Sequence, residues 1–158
     1  MNGQKILSLD LALTTGWALI ANGVTTSGSC DFHNGTRKHD NKHKWGPFLR
    51  FHDWIKNKCR ADKVDLIIYE EVRRWSSSAA AHSYCGLRAI MWMAAGTCEI
   101  DAIDYSPSAI KKSFTGKGNA NKAAMIKEAK RRWPDETFAD DNEVDARALL
   151  DMHLKGGA

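Results

Sequence analysis

Four acids stand out for where they fall in the hydrophobic pattern. Asp10 closes the apolar run Ile6-Leu7-Ser8-Leu9, and Glu70 closes Leu66-Ile67-Ile68-Tyr69. Acidic residues are poor strand formers and are seldom buried without a partner. An acid that ends a buried strand is therefore either a turn residue or a group held for a purpose. Asp145 is harder to explain as punctuation. It shares a helical face with Ala148, Leu149 and Met152, at i+3, i+4 and i+7, so it points toward the core. Asp141 and Asn142 sit one turn earlier on the same face. Asp140 and Glu143 have a simpler account, as a capping box at the start of that helix.

Carboxylates gathered at a water-accessible edge repel one another and rise in pKa unless a cation compensates. An all-oxygen donor set without His or Cys suits Mg2+ or Mn2+ better than zinc. Two such ions roughly 3.5–4 Å apart activate water and stabilise the leaving oxygen of a phosphodiester. Asp10, Glu70, Asp141 and Asp145 are the candidate ligands, and the chemistry they point to is phosphodiester hydrolysis.

The charge distribution supplies the other half of that reading. The chain carries 23 basic and 19 acidic residues, a net charge of +4. Between Lys111 and Arg132 eight basic residues stand against one acid, Glu128, whereas from Trp133 onward seven acids stand against two basic residues. The basic stretch suits a polyanion backbone and the acidic one a place for cations. Two solvated helix faces are the bland alternative. The His39 and His43 pair, at i,i+4 in a polar loop over 34–46, lacks helical periodicity and is read as solvated or phosphate-contacting loop rather than as a metal pair.

The elements that must position these residues follow from the pattern. Residues 5–10 read as a buried strand, and 17–20 and 24–30 flank Asn22-Gly23, a hairpin signal. Pro47 opens a helix whose stripe is Phe48, Phe51, His52, Ile55 and Cys59, with His52 expected in the core. Residues 64–70 form a fourth strand and 99–103 a fifth. Between them an Ala-rich helix runs over 78–95. Helices over 106–114, 121–133 and 142–154 complete the chain. The expectation is one α/β domain over 1–158, with a mixed five-stranded sheet whose first three strands are antiparallel, flanked by helices. No apolar run reaches the roughly 18–20 residues of a membrane span, and no signal-peptide core is present. A cytoplasmic protein with four reduced, mostly buried thiols and no CxxC site is expected.

At these residues the sequence resembles a known family. ILSLDLALTTGWALI resembles the opening strand pair of RNase H-like nucleases, and IIYEEV the second acidic motif of RuvC Holliday-junction resolvases. YSPSAIKKSFTGKGNANKAAM is similar to their Y-x-P…K…G-x-G-x-A-x-K segment, and DDNEVDARALL to their last acidic helix. The four motifs in this order cover most of the chain outside 31–60 and look nearest the shorter phage-type members. The resemblance implies an RNase H-like fold and a metal-dependent, structure-selective DNA endonuclease. It would cut four-way junctions by paired nicks that leave 5′-phosphate and 3′-hydroxyl ends.

Carried over by residue, the resemblance implies metal binding by Asp10, Glu70 (not Glu71) and Asp145, with two Mg2+ or Mn2+ ions and no nucleotide cofactor. Lys111 and Lys122 match lysines of catalysis or junction binding, in a DNA-binding set with Lys112, Lys117, Arg73 and Arg74. Two matched nicks imply a C2 homodimer, with helix 78–95 and its Gly86, Met91, Trp92 and Met93 as the pairing surface or, alternatively, packed on the sheet. Three positions depart from the family. Its fourth ligand position holds Asn142, leaving Asp141 or Asn142 to serve. Its opening D-P-G is replaced by Asp10-Leu11-Ala12. Its junction-inserting aromatic is replaced by Arg73, and Trp75, two residues on, is either a base-stacking group or core. A broader nuclease of flaps and forks, a non-catalytic junction binder, and a sugar-kinase-like relative of the same fold remain the alternatives.

Overall fold

A computed structural model describes residues 3–34 and 43–156. Ile6–Asp10 (β1), Thr14–Ala21 (β2) and Val24–Asp31 (β3) form an antiparallel meander. Asn22 and Gly23 turn the β2–β3 hairpin with φ of 52° and 79°, the paired left-handed conformation that tight hairpins favour. Leu66–Glu70 (β4) joins β1 in parallel, and Asp101–Tyr105 (β5) joins β4 in parallel, giving the order β3-β2-β1-β4-β5. The mixed five-stranded sheet is the one expected.

Alternation along the strands splits the core in two. Leu7, Leu9, Ile67 and Tyr69 face one layer, built with Gly46–Asp62 (α1) and Ser78–Thr97 (α2). Ile6, Leu66 and Ile68 face the other, which contains Pro107–Thr115 (α3), Lys122–Arg132 (α4) and Asp141–Leu154 (α5). α5 is buried nearly all round because it lies between the sheet and α3 and α4.

Several boundaries and placements differ from expectation. α2 runs to Thr97, and Glu99 then takes a left-handed φ of 56°; the turn delays β5 by two residues. Gly86 and Met91 do not belong to an outer face of α2. A side chain at Gly86 would run into the Phe48 ring of α1, and Met91 is fully buried. Trp92 and Met93 are the exposed pair. His52 lies at the rim of the α1 stripe, 3.1 Å from Asp53, rather than in the core. All four cysteines are free; Cys59 is buried, and Cys85 is exposed. His39 lies outside the described residues. No helix among the described residues is long and apolar enough to cross a membrane.

Candidate active site

The sheet register assembles the acids. β1 and β4 run parallel with Leu9 opposite Tyr69, so Asp10 and Glu70 end their strands at the same edge. Side chains alternate, which puts Asp10 with Ile6 and Ser8, and Glu70 with Leu66 and Ile68, on the face that α5 covers. α5 then brings Asp141 and Asp145 to that edge from its first turns. Its seat is set by a glycine. Gly16 stands opposite Asp10 in the ladder, and any side chain there would overlap the Asn142 carbonyl.

The electrostatics show how closely the acids crowd. Burial holds the Asp10 carboxyl well above the ordinary carboxylate range, and the charges of Glu70, Asp145, Asp141 and Asp140 raise it further. Glu70 is pushed up to about 7, first by burial and then by Asp145, with Lys111 opposing. Asp145 is pushed up to about 6 by burial and Asp141, with Lys111 and Lys122 opposing. Each of the four acids keeps part of its surface open to solvent. Lys122 reaches Asp141 at 2.7 Å. Its position follows from local sequence: Gly116 ends α3 with φ 82°, and Asn121 caps α4, so Lys122 is the first residue of that helix.

Repelling oxygen donors with lysine as their nearby cation are the composition of a hard-cation site. The geometry is open rather than closed. Among the described residues, no three His, Cys, Asp or Glu side chains converge tightly enough to hold an ion as they stand. Asp141 contributes to the crowding of both Asp10 and Asp145. Asn142 instead presses its backbone onto Gly16.

The other basic and aromatic residues of the expected DNA-binding set line separate clefts. Among the α3 lysines it is Lys111 whose charge reaches Glu70 and Asp145. Lys112 lines a cleft of about 620 Å3 with Ser108 and Gly118. Lys117 lines another, of about 290 Å3, with Lys127 and Arg131. Arg73 and Arg74 line a third, of about 480 Å3, with Ser106 and Ser108. Arg73 is 83% exposed and donates from Nε and Nη2 to Glu71 at 3.0 and 2.9 Å. Trp75 is neither core nor free. It is 39% exposed, lies 6.1 Å from the Tyr84 ring, and walls an apolar cleft of about 320 Å3 with Leu11, Leu13 and Val72.

The expected capping box is only half formed. Asp140 accepts from the Glu143 amide at 3.0 Å, but the Glu143 carboxylate does not return to Asp140. It accepts from Ala139 N at 2.7 Å and from Ser27 Oγ on β3 at 2.6 Å. Ser27 and Gly16 were not singled out from the sequence, and Glu143 was read only as half of that capping box. A glycine inside an otherwise regular strand was the available signal, since it marks close backbone approach.

The fold is RNase H-like, as in the RuvC structures it matches. It matches Thermus thermophilus RuvC with a TM-score of 0.72 at 16% identity, covering 98% of both chains. T. thermophilus RuvC in complex with a Holliday junction substrate matches at 0.74 and 15% identity, covering 96% of this chain and 93% of that one. The yeast mitochondrial Holliday junction resolvase matches at 0.62 and 10% identity, with coverages of 92% and 75%. No family model matches the chain. The crossover junction endodeoxyribonuclease RuvC of Ehrlichia chaffeensis is 30% identical over 121 residues, 75% of this chain and 76% of that protein. That of Ehrlichia canis is 27% identical over 123 residues, with the same coverages. The chain belongs to the RuvC family of crossover junction endodeoxyribonucleases.

Proposed function

We propose that this chain, as one nuclease domain over 1–158, is a divalent-metal-dependent DNA endonuclease that resolves four-way junctions by paired, symmetric cuts. The observation that carries the proposal is the meeting of Asp10, Glu70, Asp141 and Asp145 at one sheet edge beside Lys111 and Lys122, in a chain of the RuvC family. Asp10, Glu70 and Asp145 present carboxylate oxygens from three separate elements. Asp141, whose charge acts on both Asp10 and Asp145, is the fourth donor in preference to the neutral amide of Asn142. These four acids would hold two Mg2+ or Mn2+ ions, which would supply water activation and charge stabilisation for an in-line displacement. Lys111 and Lys122 stabilise the charge that develops on the scissile phosphate. The products carry 5′-phosphate and 3′-hydroxyl ends.

Lys112, Lys117, Arg73 and Arg74 hold the backbone of the junction arms, and Trp75 stacks on an unpaired base at the crossover. Two cuts of matched position require two copies of the site, so the working form is a C2 homodimer. The exposed Trp92 and Met93 on α2 supply apolar surface for pairing. No nucleotide takes part. The reaction belongs to the cytoplasm of a bacterium or a phage-infected cell. The test is a cleavage panel in Mg2+ and in Mn2+, with a labelled four-way junction beside a flap and a linear duplex. Paired symmetric nicks confined to the junction are expected. Equal cutting of the flap would replace the substrate by branched DNA in general, and binding without cleavage in either metal would remove the enzymatic reading.

A further inference from the structure

We infer that Glu143, tied to Ser27, is a positioning residue that fixes the α5 acids against Asp10. This rests on the reading of Asp10, Glu70, Asp141 and Asp145 as metal ligands. Glu143 stands between Asp141 and Asp145 in sequence but on the opposite side of the helix turn, and only 5% of its surface is exposed. A carboxylate so deeply placed is costly unless both oxygens are satisfied. Here both are, by Ser27 Oγ at 2.6 Å and Ala139 N at 2.7 Å.

The bond to Ser27 crosses from α5 to β3, and it is short and charge-assisted. It works with two further ties to the same patch of sheet. The Asn142 backbone rests on Gly16, and Ser8 Oγ donates to Ala146 O at 2.8 Å. Ladder pairing puts Ser8, Ala18 and Ser27 in one row, and Asp10, Gly16 and Ser29 two rows on, with side chains on the same face. The start of α5 is thus pinned to two rows of one face, one of which carries Asp10. Apolar contacts are non-directional, whereas the bond from Glu143 to Ser27 is directed, and any shift of α5 along the sheet would carry Asp141 and Asp145 away from Asp10.

Such supporting bonds characteristically change metal affinity by about 10–100-fold when lost. The test is Mn2+ binding to the metal-free protein, read by the EPR signal of free Mn2+ well below the melting temperature, with Tm measured alongside. Glu143→Ala is expected to raise the Mn2+ Kd by about tenfold, and Ser27→Ala, which removes one of the two bonds, by about threefold. Glu143→Gln retains an acceptor for Ala139 N and a polar group for Ser27, and it should stay within about twofold of the unmodified protein. Ser27→Ala keeps the test decisive should Glu143→Ala fail to fold. An unchanged Kd in both Ala variants, however far Tm falls, would overturn the inference and leave Glu143 a purely structural carboxylate. Absence of Mn2+ binding by the unmodified protein would overturn the metal reading, and the positioning role with it.

Discussion

The two ends of α5 treat carboxylates in opposite ways. At its C-terminal end Asp151 takes Arg132 at 2.5 Å and Lys155 at 2.7 Å. The same Arg132 binds Glu128 and the Phe114 carbonyl and lies over the Phe114 ring, stapling α3, α4 and α5 together. Hydrogen bonds from Arg131 and Arg132 lower Glu128 to about 2. At the N-terminal end, acids outnumber their cations, and Asp10, Glu70 and Asp145 are all driven upward. Matched charges serve the fold. Buried, crowded like charges work against it, and a bound cation would offset that cost.

The comparison is broken most sharply by Asp145→Asn. A metal site contributes several kcal/mol of transition-state stabilisation, so junction cleavage should fall by about a thousandfold or more. In chelator the same variant should melt higher than the unmodified protein, because a charge disfavoured first by burial and then by Asp141 has been removed. Arg132→Ala should do the reverse. It should lower stability by about 2–3 kcal/mol, from lost charge-assisted bonds, while cleavage per folded molecule at low temperature stays within about threefold. Denaturant melts and initial rates separate the two variants.

The third prediction concerns pH in chelator. Glu70 and Asp145 hold protons more tightly in the folded state than in the unfolded chain, so the native state binds more protons between the unfolded and folded pKa values. Stability is therefore highest at the acid side of that window and falls as pH rises through about 6 to 7. Metal-free Tm should decline from about pH 5 to 8, and the decline should be shallower in Asp145→Asn. Glu128 has the opposite sign, but its window lies below 4.5. The smallest effect belongs to the clefts. Lys117→Ala should weaken junction binding severalfold for every sequence and reduce the salt slope by about one, as loss of one phosphate contact does. A titration at several salt concentrations measures it.

Much of this was legible beforehand because it depends on local pattern. An apolar run ended by an acid gave β1 with Asp10 and β4 with Glu70, and helical spacing put Asp145 and Asp141 on one face. Asn22-Gly23 marked the hairpin. The rest depends on contacts distant in the chain. The Glu143–Ser27 bond joins residues 116 apart, so the spacing from Asp140 to Glu143 correctly gave a cap and wrongly gave its second half. Gly86 looked like surface because small residues suit any close contact; only the approach of Phe48 decides which one it makes. The β5 boundary moved with the left-handed turn at Glu99, which an acidic residue does not advertise.

The most direct test of the central claim pairs two readings on Asp145→Asn: cleavage of a four-way junction in Mg2+, and melting in chelator. Cleavage lost with Tm raised is the predicted result, since it shows an acid kept for chemistry at the expense of the fold. Cleavage retained, or Tm lowered as after loss of an ordinary structural contact, would contradict the account.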